Sequence, residues 1–413
     1  MRIAMLTNNY KPFVGGVPIS IERLSEGLRN LGHEVYVFAP SYENQAEEPY
    51  VIRYRSRKKR LGDFIVPDMF DSIIKKKFEE IPFDLIHVHH PMLMGYVAHY
   101  LGRKYDIPVV YTYHTRYEQY LHYFKVYQML QKHAHKTKFS PVYKLEDLIL
   151  ESCESLILPA HNRIFMNQCD LIFAPTQSIK RYLESLGVLT NIEILPTGMA
   201  EENFTFDQEK KAMIRHTYLG DKKFLFCTVS RLELEKNLAF ILEGLELLKE
   251  RVGDCFRMLI IGDGSQKEEL VAMAQEKGLE ENVVFCGSIS HKEISNYYHA
   301  CDLFLFASQS ETQGIVLLEA MAAGLPVVAV SASGVNDVVQ HGINGFRTTL
   351  DARQWSDRVA CLIENDELRK KMREKALQVA KGYHVNSIAY LAQTYYQNLY
   401  QGLRHNHYEE QII

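Results

Sequence analysis

The chain has 413 residues, 46% hydrophobic and 24% charged, with a formal net charge of -4. That balance supports a large core in two domains and excludes a disordered or collagen-like chain. No apolar run reaches about 18 residues, so no segment reads as a membrane-spanning helix. The charge is uneven: the first 200 residues carry a slight excess of Lys and Arg and the remainder an excess of Asp and Glu, so the two halves are expected to meet different partners.

Strand-like and helix-like segments alternate throughout, which predicts an α/β chain with mainly parallel sheets. The first strand is expected over 2–6. Its apolar run is too short for a signal peptide, which points to a cytosolic protein, free or attached to a membrane face. An amphipathic helix follows, with Ile21, Leu24, Leu28 and Leu31 on one stripe and Gly32 placed to end it. Further strands are expected over 34–39, 85–89, 109–114, 171–175 and 192–195. The second half repeats the theme with strands over 224–230, 256–261, 283–287, 303–307, 327–330 and 345–348. Its first helix carries Leu238, Ile241, Leu242, Leu245 and Leu248 behind Asn237 in a capping position. The division falls near Leu195–Met199, giving domains 1–197 and 198–383, and a Tyr-rich helix from residue 384 onward either packs back on the first domain or closes the second. Two such doubly wound units would leave a cleft at the carboxyl ends of their strands, where ligands of open α/β sheets bind. The seven cysteines are scattered with no C-x-x-C pair, and reduced core thiols are the expected state.

The residues that bear chemistry cluster at predicted strand ends. After strand 303–307 come Glu311, the loop Thr312, Gln313, Gly314, Ile315, and a helix carrying Glu319. Backbone amides at such a helix start suit an anion such as a diphosphate. Glu311 would accept from sugar hydroxyls, and Glu319, about two turns on, would reach a ribose. Arg231 and Lys236 follow strand 224–230 and suit a diphosphate leaving group whose charge grows as its bond to carbon breaks, although Glu233 and Glu235 are alternative ion-pair partners. His114 ends strand 109–114 and is available to a hydroxyl. The glycine pair Gly15 and Gly16 joins the first strand to the first helix, as a tight turn or a close approach to a ligand. It is neither a G-x-G-x-x-G fingerprint nor a Walker A loop. His87, His89 and His90 lack a carboxylate partner and are not read as a metal site. No Asp-x-Asp pair is present to hold a magnesium-bound nucleotide.

Taken together, the glycine pair, His114, Arg231 with Lys236, and Glu311-x7-Glu319 followed by the run 320–328 resemble the retaining glycosyltransferases of family 4, over essentially the whole chain. The resemblance implies the GT-B fold, two Rossmann-like doubly wound domains facing a central cleft. It implies donor phosphate at the Gly16 amide, the sugar 6-hydroxyl at His114, and the diphosphate on Arg231 and Lys236. It places the sugar on Glu311 and the amides of Gln313 and Gly314, the ribose on Glu319, and the base near Ile289. Bound metal is not usual in the family, so no tightly bound cofactor is expected, and a divalent ion enters only as an optional activator. Two departures concern sugar contact: Thr197–Ala200 stands where many relatives have Asn-Gly-Val-Asp, and Gly334–Asp337 where they have Gly-x-x-Glu.

The first domain should choose the acceptor. Arg53, Arg55, Arg57, Lys58, Lys59 and Arg60 precede an apolar stretch beginning at Phe64. The segment 116–144 interleaves six cations and one acid with seven aromatics, among them Tyr117, Tyr120, Tyr123, Phe124 and Tyr127. Basic and aromatic residues on amphipathic segments suit an anionic membrane surface, a solvated loop being the plain alternative. No nucleic-acid motif is present. Residues 113–123 are also similar to bacterial diacylglycerol glucosyltransferases. The expectation is a peripheral enzyme on the cytoplasmic face of the cell membrane that moves glucose from UDP-glucose to diacylglycerol, for glycolipid and lipoteichoic-acid anchor synthesis. Another UDP-sugar with a soluble or polysaccharide-precursor acceptor, and a silent sugar-nucleotide-binding protein, are the alternatives.

Overall fold

The computed structural model describes residues 1–13, 15–43, 45–61, 64–116 and 158–410, with the side chains at 57–61, 64–66, 158 and 403–410 left aside. The contacts divide the chain into two units, residues 1–197 with 386–413, and residues 198–385.

Unit 1 is built on a seven-stranded, all-parallel sheet of order β3-β2-β1-β6-β7-β8-β9. The strands are β1 (Arg2–Leu6), β2 (Glu34–Pro40), β3 (Val51–Tyr54), β6 (Leu85–Val88), β7 (Val109–Thr112), β8 (Leu171–Ala174) and β9 (Ile192–Ile194). Strands β6, β7 and β8 are buried along their whole length, which is why they read as continuous apolar runs rather than alternating ones. Helices α1 (Gly16–Asn30), α2 (Ser72–Glu80), α3 (Met94–Tyr105), α4 (Leu158–Met166) and α5 (Gln177–Ser185) belong to this unit. Asp71 and Thr176 cap α2 and α5 by accepting from the amides of Ile73 and Ile179, satisfying donors a helix start leaves open. Leu31 does not complete the apolar stripe of α1: it is the C-cap and 39% exposed.

The basic stretch differs from expectation. Arg53 lies inside β3, and the run from Ser56 forms an antiparallel hairpin, β4 (Ser56–Leu61) with β5 (Phe64–Pro67), in which Arg57 stands opposite Val66 and Leu61 opposite Phe64. Alternation of charged and apolar residues was too weak there to announce strands.

Unit 2 has a six-stranded parallel sheet of order β12-β11-β10-β13-β14-β15. Its strands are β10 (Phe224–Val229), β11 (Phe256–Ile261), β12 (Val283–Gly287), β13 (Leu303–Phe306), β14 (Val327–Val330) and β15 (Gly345–Thr348). Around it lie α6 (Gln208–Leu219), α7 (Leu238–Val252), α8 (Lys267–Glu276), α9 (Ile294–Ala300), α10 (Ile315–Ala322), α11 (Val335–Val338), α12 (Ala352–Glu364) and α13 (Asp366–Lys381). Leu238, Ile241, Leu242, Leu245 and Leu248 of α7 are buried as their spacing predicts, in one core with Trp355 of α12. Asn237 precedes α7 in a left-handed conformation and makes no side-chain cap.

The last helix, α14 (Val385–Glu410), leaves unit 2 at its first residue and joins unit 1. Ile388, Ala389, Ala392 and Tyr396 enter the unit 1 core beside Ile3, Met5 and Phe173, whereas Tyr390 faces solvent.

In each sheet the chain order reverses at one point, between β1 and β6 in unit 1 and between β10 and β13 in unit 2. Adjacent loops leave the sheet there in opposite directions and open a crevice at the carboxyl ends of the strands.

Candidate active site

The unit 2 crevice is formed by the loops after β10 and β13. Arg231 follows β10 by two residues, Lys236 closes a 3-10 turn (Leu234–Lys236), and Glu311 lies in the loop after β13. Lys236 Nζ donates to Glu311 Oε1 at 2.6 Å, with side chains only 13% and 15% exposed. Burial pushes the Glu311 carboxyl up, but the charge and hydrogen bond of Lys236, the Ser308 hydroxyl and the Arg231 charge outweigh it and hold the group below its ordinary value. Arg231 Nη2 donates to Glu235 Oε1 at 2.9 Å and remains 52% exposed. The hydroxyls of Ser230 and Ser310 are buried without a hydrogen-bond partner among the described residues.

The backbone around these groups is braced by glycines. Gly262, after β11, has φ +136°, and a Cβ there would sit 1.8 Å from the Ser230 carbonyl oxygen. Its neighbour Asp263 accepts from the Leu232 amide at 3.0 Å, and Leu232 accepts from the Gln266 amide at 2.9 Å, so the loop after β11 holds the segment carrying Arg231. Gly334 supports the other side: φ is +77°, and a Cβ would lie 2.9 Å from the Glu311 carbonyl oxygen.

The structure brings Arg231, Lys236, Glu311 and the 312–315 loop to one switch point. Gln313 is buried, Gly314 is the N-cap of α10, and Ile315 is its first residue. Glu319 is turned into the protein, 5% exposed, and accepts from the Tyr298 hydroxyl at 3.4 Å. Ile289 lies just past β12, partly buried against the same core as Leu317 and Leu318.

The remaining residues belong to unit 1. Gly15 is the extended N-cap of α1 and Gly16 its first residue, so neither needs a glycine-only conformation. His114 follows β7, and its Nε2 lies 2.9 Å from His89 Nδ1. Burial depresses its pKa to about 3. His87 is flanked by Thr112 Oγ1 at 2.6 Å and the Tyr396 hydroxyl at 2.7 Å, and His90 Nδ1 accepts from the Asn8 amide at 3.1 Å. Among the described residues no group of three His, Cys, Asp or Glu side chains could hold a metal ion, and no helix is long and apolar enough to cross a membrane. The six described cysteines are free.

Arg53 is not an outward-facing cation. Its side chain is 12% exposed, donates to the Pro40 carbonyl at 3.0 Å, approaches Glu48 at 3.4 Å and lies over the Tyr10 ring. Arg55 is 71% exposed with Asp71 beside it. Arg57, Lys58, Lys59, Arg60 and Phe64 lie on the β4–β5 hairpin, their side chains outside the description, and Tyr117, Tyr120, Tyr123, Phe124 and Tyr127 fall outside the described residues. Sequence reading gave no site role to Ser308, Gly262, Tyr298, His89 and Tyr396. Only Gly262 left a signal, a Gly-x-Gly directly after an apolar strand; the others depend on which loops the topology brings together.

The family models agree with this geometry. Residues 14–202 match Glycosyltransferase Family 4 and residues 209–379 match Glycosyl transferases group 1. The alpha-monoglucosyldiacylglycerol synthase of Acholeplasma laidlawii is 30% identical over 357 residues, 84% of each chain. The chain belongs to glycosyltransferase family 4. This glycosyltransferase is also 28% identical to the alpha-monoglucosyldiacylglycerol synthase of Streptococcus pneumoniae strain R6, over 84% of its own length and 74% of the relative's. Its fold matches the Anabaena protein HepE, solved in complex with UDP, with a TM-score of 0.71 at 20% identity over 95% of this chain and 99% of that one. The family and the GT-B architecture expected from the sequence are thereby borne out: the protein is a hexosyltransferase-type enzyme with two Rossmann-like parallel-sheet domains.

Proposed function

We propose that this glycosyltransferase moves glucose from UDP-glucose to the 3-hydroxyl of 1,2-diacylglycerol with retained α-configuration, working peripherally at the cytoplasmic face of the membrane. One observation carries the donor half: a buried Lys236–Glu311 pair with Arg231 beside it at the switch point of unit 2. Two cations suit a diphosphate, and a carboxylate held ionised suits sugar hydroxyls. Glu319 and the backbone near Ile289 are assigned the ribose and the base, and Gly15, Gly16 and His114 the phosphate and the sugar. The acceptor half is supported by the two diacylglycerol-glucosylating relatives and by the cationic, partly apolar stretch 55–66.

In the transfer, the bond from the sugar's C1 to the diphosphate oxygen breaks while the acceptor oxygen bonds C1 on the same face. The acceptor's proton passes to the departing phosphate oxygen, whose growing charge is stabilised by Arg231 and Lys236. Glu311 positions the sugar and does not attack it. A bound metal forms no part of this proposal.

The test is incubation of the full chain with a panel of UDP-sugars and diacylglycerol in mixed vesicles, with the lipid product identified by mass and linkage. Glucosyl-diacylglycerol in α-linkage is the expected product. Transfer from UDP-glucose to water-soluble acceptors alone would overturn the acceptor, and UDP release from another sugar nucleotide alone would overturn the donor.

A further inference from the structure

His89 is 1% exposed, and its ring lies between those of His87, 4.3 Å away centroid to centroid, and His114, 5.2 Å away. Its backbone amide donates to the Leu6 carbonyl at 3.0 Å, which fixes the ring's root on the central strand of the sheet. The imidazole therefore has little freedom to turn. Nδ1 faces His114 Nε2 at 2.9 Å. Nε2 is buried and has no hydrogen-bond partner among the described residues.

A neutral imidazole carries one N–H and one bare nitrogen, and the two nitrogens of His89 are not equivalent here. With the proton on Nε2, a buried N–H would be left unpaired, which is rare in folded proteins; an under-used acceptor is tolerated better. The proton therefore belongs on Nδ1, where it donates to His114 Nε2. With its Nε2 accepting, a neutral His114 ring keeps its own proton on Nδ1. Burial favours the neutral form of both rings.

We propose that His89 is a positioning residue, which fixes His114 in the tautomer with its proton on Nδ1 and so makes it a hydrogen-bond donor toward a sugar oxygen. The recognition is of an uncharged hydroxyl, and the reversed tautomer would offer a lone pair in the donor's place. This rests on the donor reading above, which assigns the sugar to His114.

The test combines imidazole ¹⁵N spectroscopy of the full chain with kinetics. In the wild type, the His114 signals should show a protonated Nδ1 and a bare Nε2; a protonated Nε2 overturns the proposal whatever the enzyme's substrate proves to be. His89→Asn keeps an N–H near the Nδ1 position and should retain turnover, whereas His89→Phe should lower kcat by about 10- to 100-fold, the scale of a misplaced contact, with the donor KM little changed. Loss of kcat in both variants with an unchanged His114 tautomer overturns the positioning role. If the wild type transfers no glucose at all, the donor reading fails and the spectroscopic result still stands on its own.

Discussion

At the switch point of unit 2 the polar groups are ions held by counter-ions, Lys236 on Glu311 and Arg231 on Glu235; at that of unit 1 they are imidazoles kept neutral by burial, His89 against His114 and His90 against Asn8. Both sheets are parallel and both crevices open at strand ends, so topology does not distinguish them. The counter-charge does. Among the described residues, the partners of His87, His89 and His90 are hydroxyls, an amide and a second imidazole rather than ions, and burial favours the neutral rings. In unit 2 a carboxylate and an ammonium offset each other's burial, and Lys236 holds the Glu311 carboxyl below its ordinary value. A crevice of neutral donors and acceptors suits hydroxyls, and one of matched ions suits a charged leaving group.

The largest predicted effect comes from breaking the matched ions. Lys236→Ala should lower turnover by about two orders of magnitude or more while the chain stays folded, and near-normal turnover would sink the leaving-group role. It should also weaken an acid-range trend. In the wild type Glu311 has a folded-state pKa below its ordinary 4.5, so its contribution to stability is present above that value and is lost as pH falls through the folded-state value. Without Lys236, burial is opposed only by Ser308 and Arg231, and the pKa should rise from its wild-type position. The stability that Glu311 contributes above its ordinary pKa is then smaller, and less of it is lost as pH falls. Denaturation midpoints measured at several pH values, with Glu311→Gln in the same background to remove the trend, check this.

Gly262 tests whether the bracing of the Arg231 segment matters as much as its charge. Gly262→Ala places a methyl group 1.8 Å from the Ser230 carbonyl oxygen at a φ of +136°. Backbone strain of that kind costs roughly 1–3 kcal/mol, and the loop carrying Arg231 must shift as well. We expect a lower thermal midpoint and a turnover loss smaller than that of Lys236→Ala. A variant with wild-type stability and turnover would show that the β11 loop is not a brace.

How much of this was legible in the residues follows the same division. The central strands were readable because parallel strands buried on both faces are unbroken apolar runs, and β11, β12, β14 and β15 begin and end where the pattern puts them. Arg231, Lys236 and Glu311 were readable as charges at strand ends. Their pairing was legible only in part: Arg231 meets Glu235, one of the two nearby candidates, whereas Lys236 meets Glu311, 75 residues away, because β10 and β13 are neighbours in the sheet. The hairpin of β4 and β5 was hidden by its cations, and Arg53 looked like a surface charge although Tyr10 and Glu48 cover it. The histidines were legible only as residues sharing a face, since their partners come from β7 and from a helix about 300 residues downstream.

That last contact gives the smallest effect and the sharpest probe of the neutral crevice. The Tyr396 hydroxyl lies 2.7 Å from His87 Nδ1, with Tyr396 and His87 both fully buried. Tyr396→Phe keeps the ring packing and leaves that nitrogen without its partner, which typically costs about 1–3 kcal/mol. Turnover should be largely retained, because His87 faces Thr112 and Tyr396 rather than the sugar assigned to His114. Chemical denaturation of the full chain measures the stability and product formation the activity. If stability is unchanged, the Tyr396 hydroxyl adds nothing to this core beyond its ring packing. If stability falls and turnover holds, this hydrogen bond is needed for folding but not for transfer, and His89 is the member of the set whose bond reaches the residue assigned to the sugar.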